Sequence, residues 1–183
     1  SNATSIEAYL ASLQMQALVR PIDEADMQRV VQLLAKTNQF NLTTRRHTAD
    51  KVRELIRGEG ALGVTLRLTD RFGDYGLVAV IIGVPLNESH ARTLRIDTFV
   101  MSCRVIGRTV EECVIDAVMR RAEEMGYQRV LGEYLPTQKN QLVYGLYEQL
   151  GFSRLPTTSD NFTLFELRLP PERRSQSFVQ LAN

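Results

Sequence analysis

Met101-Ser102-Cys103-Arg104-Val105-Ile106-Gly107-Arg108-Thr109-Val110 joins an apolar, alternating stretch to an amphipathic one. The stretch before it, 93–101, reads as a strand with Ile96 and Thr98 on one face and Asp97, Phe99 and Met101 on the other. The stretch after it, 110–125, has helical spacing, with Val110, Cys113, Val114, Ala117, Val118 and Met125 inward and Gly126 as its stop. A turn from strand into helix presents unpaired N–H groups at the positive end of the helix dipole. Gly107 lets the backbone come close to a pyrophosphate, and Arg104 and Arg108 can add charge-assisted contacts. The same residues also suit a plain connection carrying two solvated arginines.

Working outward, residues 6–13 read as a short lead-in helix and 15–19 as a strand. Asp23 then caps a helix through Met27, Val30, Val31 and Leu34, and Thr48 caps a second through Val52, Leu55 and Ile56. Leu62, Val64, Leu66 and Leu68 alternate in a strand, followed by a turn over 70–74 and an almost continuous apolar strand over 75–84. Beyond the central helix come a strand over 129–135, a helix over 140–150 stopped by Gly151, and a strand over 162–169. This order predicts an α/β (α+β) domain, a mixed sheet flanked by helices on both faces. The expected division is a cleaved-tag remnant at 1–3, a lead-in segment at 4–14, one domain over 15–169 and a polar tail over 170–183. That tail is expected to be loosely held, although Phe178, Val179 and Leu181 are able to dock.

A chain of 183 residues fits one domain with a full core, and a net charge of +1 argues against nucleic acid or a membrane surface as partner. The longest apolar run, 76–86, is too short to cross a bilayer and contains Pro85, so a cytoplasmic location is expected. Cys103 and Cys113 match no metal or redox spacing, and His47 and His90 are far apart, so no metal site is expected. The register of Cys113 points to a buried thiol.

Arg104-x-x-Gly107-x-Thr109 resembles the acetyl-CoA signature of GNAT acyltransferases, and Asn140 followed by Leu146-Tyr147-Glu148-Gln149-Leu150-Gly151-Phe152 resembles their second signature. The element order is similar to theirs over nearly the whole chain. Thr109 departs from the pattern, because a β-branched residue stands where the family has glycine or alanine. Four longer runs are similar to the C-terminal part of FkbH-like proteins. They are Thr37-Asn38-Gln39-Phe40-Asn41, Arg71-Phe72-Gly73-Asp74, Ile96 through Arg104, and Gly132-Glu133-Tyr134-Leu135-Pro136-Thr137-Gln138-Lys139-Asn140. That family typically joins a HAD-type domain to a GNAT-like one and loads a glyceryl unit onto an acyl carrier protein, toward hydroxymalonyl or methoxymalonyl polyketide extender units.

The resemblance implies a site for acetyl-CoA, CoA or the phosphopantetheine thioester of an acyl carrier protein, with a HAD-type domain as a further partner. Phe99, Met101, Arg104, Val105, Ile106, Gly107, Arg108, Thr109 and Asn140 would bind that group, and Tyr147 would protonate the leaving sulfur. Tyr147 also suits a core tyrosine, and Asn140 a helix cap. Acyl transfer needs a base as well. Asp97, inside a strand between apolar neighbours, is the preferred candidate and Glu133 the second; either suits a structural partner for a buried arginine equally. Asn38, Gln39, Asn41 and Arg45 would border the acceptor, and Arg45-Arg46-His47 forms a basic cluster suited to a 3′-phosphate or an acidic carrier. Three functions remain open: a catalytic acyltransferase, a non-catalytic domain that recognises the carrier, and an N-acetyltransferase of a small molecule or protein.

Overall fold

The computed structural model describes residues 2–87, 91–156 and 159–182, with side chains from residue 5 onward, so His90 lies outside the described residues. Helix α1 (Asn2–Ser12) leads into β1 (Gln16–Pro21), and α2 (Met27–Lys36) and α3 (Ala49–Arg57) follow. The antiparallel meander β2 (Leu62–Asp70), β3 (Gly73–Leu86) and β4 (Thr93–Met101) comes next. Helix α4 (Val110–Glu124) crosses to β5 (Arg129–Tyr134), which runs parallel to β4. The chain ends through α5 (Leu146–Gln149), β6 (Ser153–Arg154), β7 (Thr163–Arg168) and β8 (Gln180–Leu181). All eight strands form one mixed sheet in the order β6-β7-β5-β4-β3-β2-β1-β8.

The helices form where caps and periodicity agree. Thr48 Oγ1 accepts from the Lys51 N–H at 3.2 Å at the start of α3, with Asp50 in its first turn and Arg57 in its last. In α2 the buried residues Met27, Val30, Leu33 and Leu34 keep helical spacing. With Val52 they cover Leu77, Val80, Ile82 and Val100 on one face of the sheet. The other face packs Leu66, Ile81, Ile96, Phe99 and Met101 against Val110, Val114 and Val118 of α4. Each fully buried aliphatic side chain there stabilises the fold by about 2 kcal/mol relative to exposure.

Two expectations change. The helix expected over 140–150 is a short 3-10 turn, Gln141–Val143, then the single turn of α5, because Gly145 interrupts it. The tail is not loose throughout: Val179 is buried, and β8 pairs in parallel with β1 through Gln16↔Gln180 and Ala17↔Leu181.

Candidate functional site

Strands β4 and β5 are paired only from Thr93↔Arg129 to Ile96↔Gly132. Beyond that point they diverge, and the first residues past the fork are Asp97 on one strand and Glu133 on the other. On its opposite edge β4 pairs Thr98 with Ile82 and Ile96 with Gly83, which leaves Asp97 as the extra residue of a β-bulge. A bulge re-aims its side chain and breaks alternation. Ile96, Phe99 and Met101 therefore all enter the core under α4, contrary to the expected split, while Asp97 turns toward the segment leading into α3.

Six side chains meet at the fork. Asp97 is 5% exposed, and its Oδ1 lies 2.7 Å from His47 Nε2 and accepts from Thr98 Oγ1 at 2.8 Å. Arg45 bridges both carboxylates, at 3.1 Å from Asp97 Oδ2 and 2.8 Å from Glu133 Oε2. Arg95 bonds Glu133 and stands 3.6 Å from Asp97. Burial works to raise the Asp97 carboxyl, but the bonds from His47 and Thr98 and the charge of Arg45 outweigh it and hold it below the ordinary aspartate value. The carboxylate is therefore ionised at neutral pH, and His47 Nε2 must carry the proton it shares. Beside the cluster a cavity of about 440 Å³ opens against Arg45, Arg95 and Glu133, with Leu131, Leu135 and Phe162 as apolar walls.

Under the fork, Tyr147 is 1% exposed and packs among Phe99, Phe152 and Phe165. Gly132 makes room for it: a Cβ there would stand 2.5 Å from the ring. The hydroxyl is buried with no hydrogen-bond partner. Burial, with the Glu133 charge added, pushes the phenol well above its ordinary value, so it keeps its proton.

The fork is closed by the chain itself. Leu42 N–H donates to Phe99 O at 3.1 Å, Met101 N–H donates to Phe40 O at 3.0 Å, and Asn41 bridges Val100 in antiparallel fashion. On the other side Leu135 N–H donates to Leu42 O at 2.9 Å. Asn140, with no exposed surface, pins the arrangement. Its Nδ2 donates to Asn41 O at 2.9 Å and Leu135 O at 3.0 Å, and its Oδ1 accepts from Thr137 N–H at 2.8 Å and Tyr134 OH at 3.2 Å. Asn140 is thus fully bonded inside the protein and makes no side-chain cap.

The turn into α4 is also engaged internally. Gly107 has φ +82° and open space where a Cβ would stand, which leaves it approachable. Arg104 is exposed and reaches Tyr75 O at 3.1 Å. Arg108 bonds the buried carboxylate of Asp70 at 3.1 Å and lies over the Tyr75 ring. Val105 is fully buried and Ile106 packs on the core. Thr109 adopts a left-handed conformation, φ 61° and ψ 22°, costly for a β-branched residue. Its Oγ1 accepts from Phe178 N–H at 2.9 Å and lies 3.0 Å from Ser177 Oγ, and Ser177 Oγ donates to Thr109 O at 2.6 Å. The tail therefore sits on the turn.

Thr109→Gly should relieve about 1 kcal/mol of left-handed strain and lose bonds of similar worth, leaving global stability within about 1 kcal/mol. The same change should free residues 177–181, read as faster amide exchange at Phe178 and Val179. Unchanged protection of both amides would refute the anchoring role.

Of the expected acceptor residues, Asn38 accepts from Arg46, Gln39 is exposed, and Asn41 is fully buried, bonding Thr37 O and the Thr44 N–H. The expected basic cluster is dispersed. Arg46 caps the end of α2 through Leu34 O and Ala35 O, Arg45 bridges the carboxylates, and His47 sits on Asp97. The roles of His47 and Arg95 at the fork were not read from sequence. The i, i+2 pair Arg95 and Asp97 was a usable signal; nothing in sequence ties residue 47 to residue 97. Cys113 is buried and its thiol pushed up to about 11 by burial, so it is inert. Among the described residues no group of His, Cys, Asp and Glu gathers as a metal site, and no helix is long and apolar enough to cross a membrane.

Neither a known family profile nor a curated protein matches the sequence. Solved structures match in shape. The GNAT domain of S. lividans PAT aligns with TM-score 0.61 at 19% identity, over 82% of this chain and 89% of its own. Spermidine N-acetyltransferase from Vibrio cholerae, in complex with CoA and spermine, gives 0.61 at 11%, over 84% and 95%. The ribosomal-protein-S18-alanine N-acetyltransferase from Escherichia coli gives 0.60 at 15%, over 88% and 99%. The fold is that of the GNAT acetyltransferases.

Proposed function

We propose that this chain is a GNAT-fold acyltransferase domain that takes an acyl thioester of phosphopantetheine, on coenzyme A or on an acyl carrier protein, at the β4–β5 fork. The observation that carries this reading is the Tyr147 hydroxyl, buried without a partner beneath the last paired residue of β5. A native protein rarely leaves such a donor orphaned, and exceptions point to a ligand or a catalytic role. The phenol keeps its proton in the resting protein, so it stands at the fork as a donor rather than an acceptor. The exposed Arg104 and the open backbone at Gly107 would receive the phosphates. Phe40, Asn41 and Leu42 must withdraw for the arm to lie along β4. The four runs that resemble FkbH-like proteins favour a carrier-bound acyl unit destined for polyketide extender units, with a HAD-type domain as partner.

The closed fork favours a second reading, a domain that recognises the carrier while chemistry occurs elsewhere. Calorimetry of acetyl-CoA and of loaded holo-carrier protein against the domain, with thiol release followed in parallel, separates the two. Binding without turnover supports recognition alone, and absence of binding sinks both. Tyr147→Phe carries a paired expectation. Thiol release should fall about 100-fold. Stability should rise by about 1 kcal/mol, because an unsatisfied buried hydroxyl is removed. A variant that is no more stable would show that the hydroxyl is not unsatisfied, and one that is equally active that it is not the proton donor.

A further inference from the structure

We infer that His47 is the general base of the transfer, held in place by Asp97, and that Asp97 itself is a positioning residue. This rests on the acyltransferase reading above. Asp97 is the first β4 residue beyond the last β4–β5 pair, so whatever it holds stands at the apex of the fork. Tyr147 packs below that apex against Gly132; His47 lies on the opposite face, on the segment entering α3. A thioester carbonyl at the apex would have a proton donor on one side and an acceptor-activating group on the other.

The carboxylate fixes the tautomer. Asp97 Oδ1 can only accept, so Nε2–H donates to it at 2.7 Å and the imidazole lone pair sits on Nδ1. Nδ1 bonds none of the described residues and is not among the buried unpartnered atoms, so it remains reachable. Asp97 is a poor base: four groups, His47, Thr98, Arg45 and Arg95, converge on its two oxygens. Glu133 is likewise occupied by Arg45 and Arg95. The charges facing His47 and its partner are thus two carboxylates and two guanidiniums, all bonded to one another, and His47 Nδ1 is the acceptor position of the cluster that they leave unoccupied.

In the reaction the acceptor's N–H or O–H proton moves to His47 Nδ1 as its heteroatom bonds the carbonyl carbon. The C–S bond breaks, the thiolate takes the Tyr147 proton, and the imidazolium proton returns to the phenolate through solvent.

The test uses acetyl-CoA and acetyl-loaded carrier protein as donors, with thiol release and calorimetric Kd as readouts and water as the acceptor. His47→Gln keeps an N–H for Asp97 but has no base; kcat should fall at least about 100-fold with Kd unchanged. His47→Ala should behave alike and be partly restored by added imidazole. Asp97→Asn should lower kcat, and the double variant with His47→Gln should lose no more than His47→Gln alone, since the two act as one unit. Wild-type turnover in His47→Gln, or additive losses in the double variant, overturns the assignment and leaves the acyltransferase reading intact. No thiol release from the unaltered protein overturns both.

Discussion

Asn140→Ala should cost about 4 kcal/mol of stability, on the order of half of what an ordinary domain possesses. The side chain has no exposed surface and uses all four of its hydrogen-bonding positions. Removing it strands Asn41 O, at about 1–3 kcal/mol for a buried group without a partner. It also loses the bonds to the half-buried Leu135 O and to the Thr137 N–H and Tyr134 OH, and leaves a cavity. The loss should be visible as a lower urea midpoint. Amide exchange at Leu42 and Met101, whose N–H groups close the fork, should accelerate with it. A loss under about 1 kcal/mol would mean that the closing segment holds itself in place, and Asn140 would no longer be its pin.

The second large effect concerns acid–base balance at the start of α4. Glu111 is 9% exposed, and its carboxyl lies within hydrogen-bond reach of that of Glu112, itself half-buried. Burial first, and then the neighbouring Glu112 charge, push the Glu111 carboxyl up to about 7 from 4.5. The folded state therefore binds this proton more tightly than the unfolded chain does. The stability this proton contributes is fully present below about pH 4.5, is lost as pH rises toward 7, and is absent above. The drop should reach about 3 kcal/mol, the worth of a shift of that size. Glu111→Gln should flatten most of the slope and leave the protein more stable than the original at pH 8. The carboxyl of Glu112, itself pushed up by burial, supplies the remainder of the slope. Urea midpoints of both proteins from pH 4 to pH 8 decide it; a flat profile for the original between pH 5 and 7 refutes the burial argument.

The meander, the central helix and the glycine turn were legible because period-2 and period-3.6 apolar patterns dominate those segments. The bulge at Asp97 was not, since a run of alternating residues gives no sign that one of them will be left unpaired. The closing piece at Phe40, Asn41 and Leu42 was hidden for another reason. Turn-forming asparagines surround it, and a single bridge has no periodicity to detect. Strands β6 and β8 have two residues each, too few for any pattern. At the site, Asp97, Glu133 and Tyr147 were identified as chemistry-bearing residues, but their partners were not. A contact such as His47 to Asp97 is made by the fold, between segments whose local sequences do not depend on each other.

Both margins of the eight-stranded sheet end on two-residue strands, β6 against β7 and β8 against β1. A sheet margin normally offers a row of free backbone groups to which an extended peptide, or another copy of the same protein, can add itself. Here that template is short at both ends, and Pro21 withholds an N–H at the far end of β1. Recruitment by strand addition along the rim is thereby discouraged, as is the stacking of copies into fibres. A visiting macromolecule is directed instead to side-chain surfaces and loops, where the fork and its cavity lie.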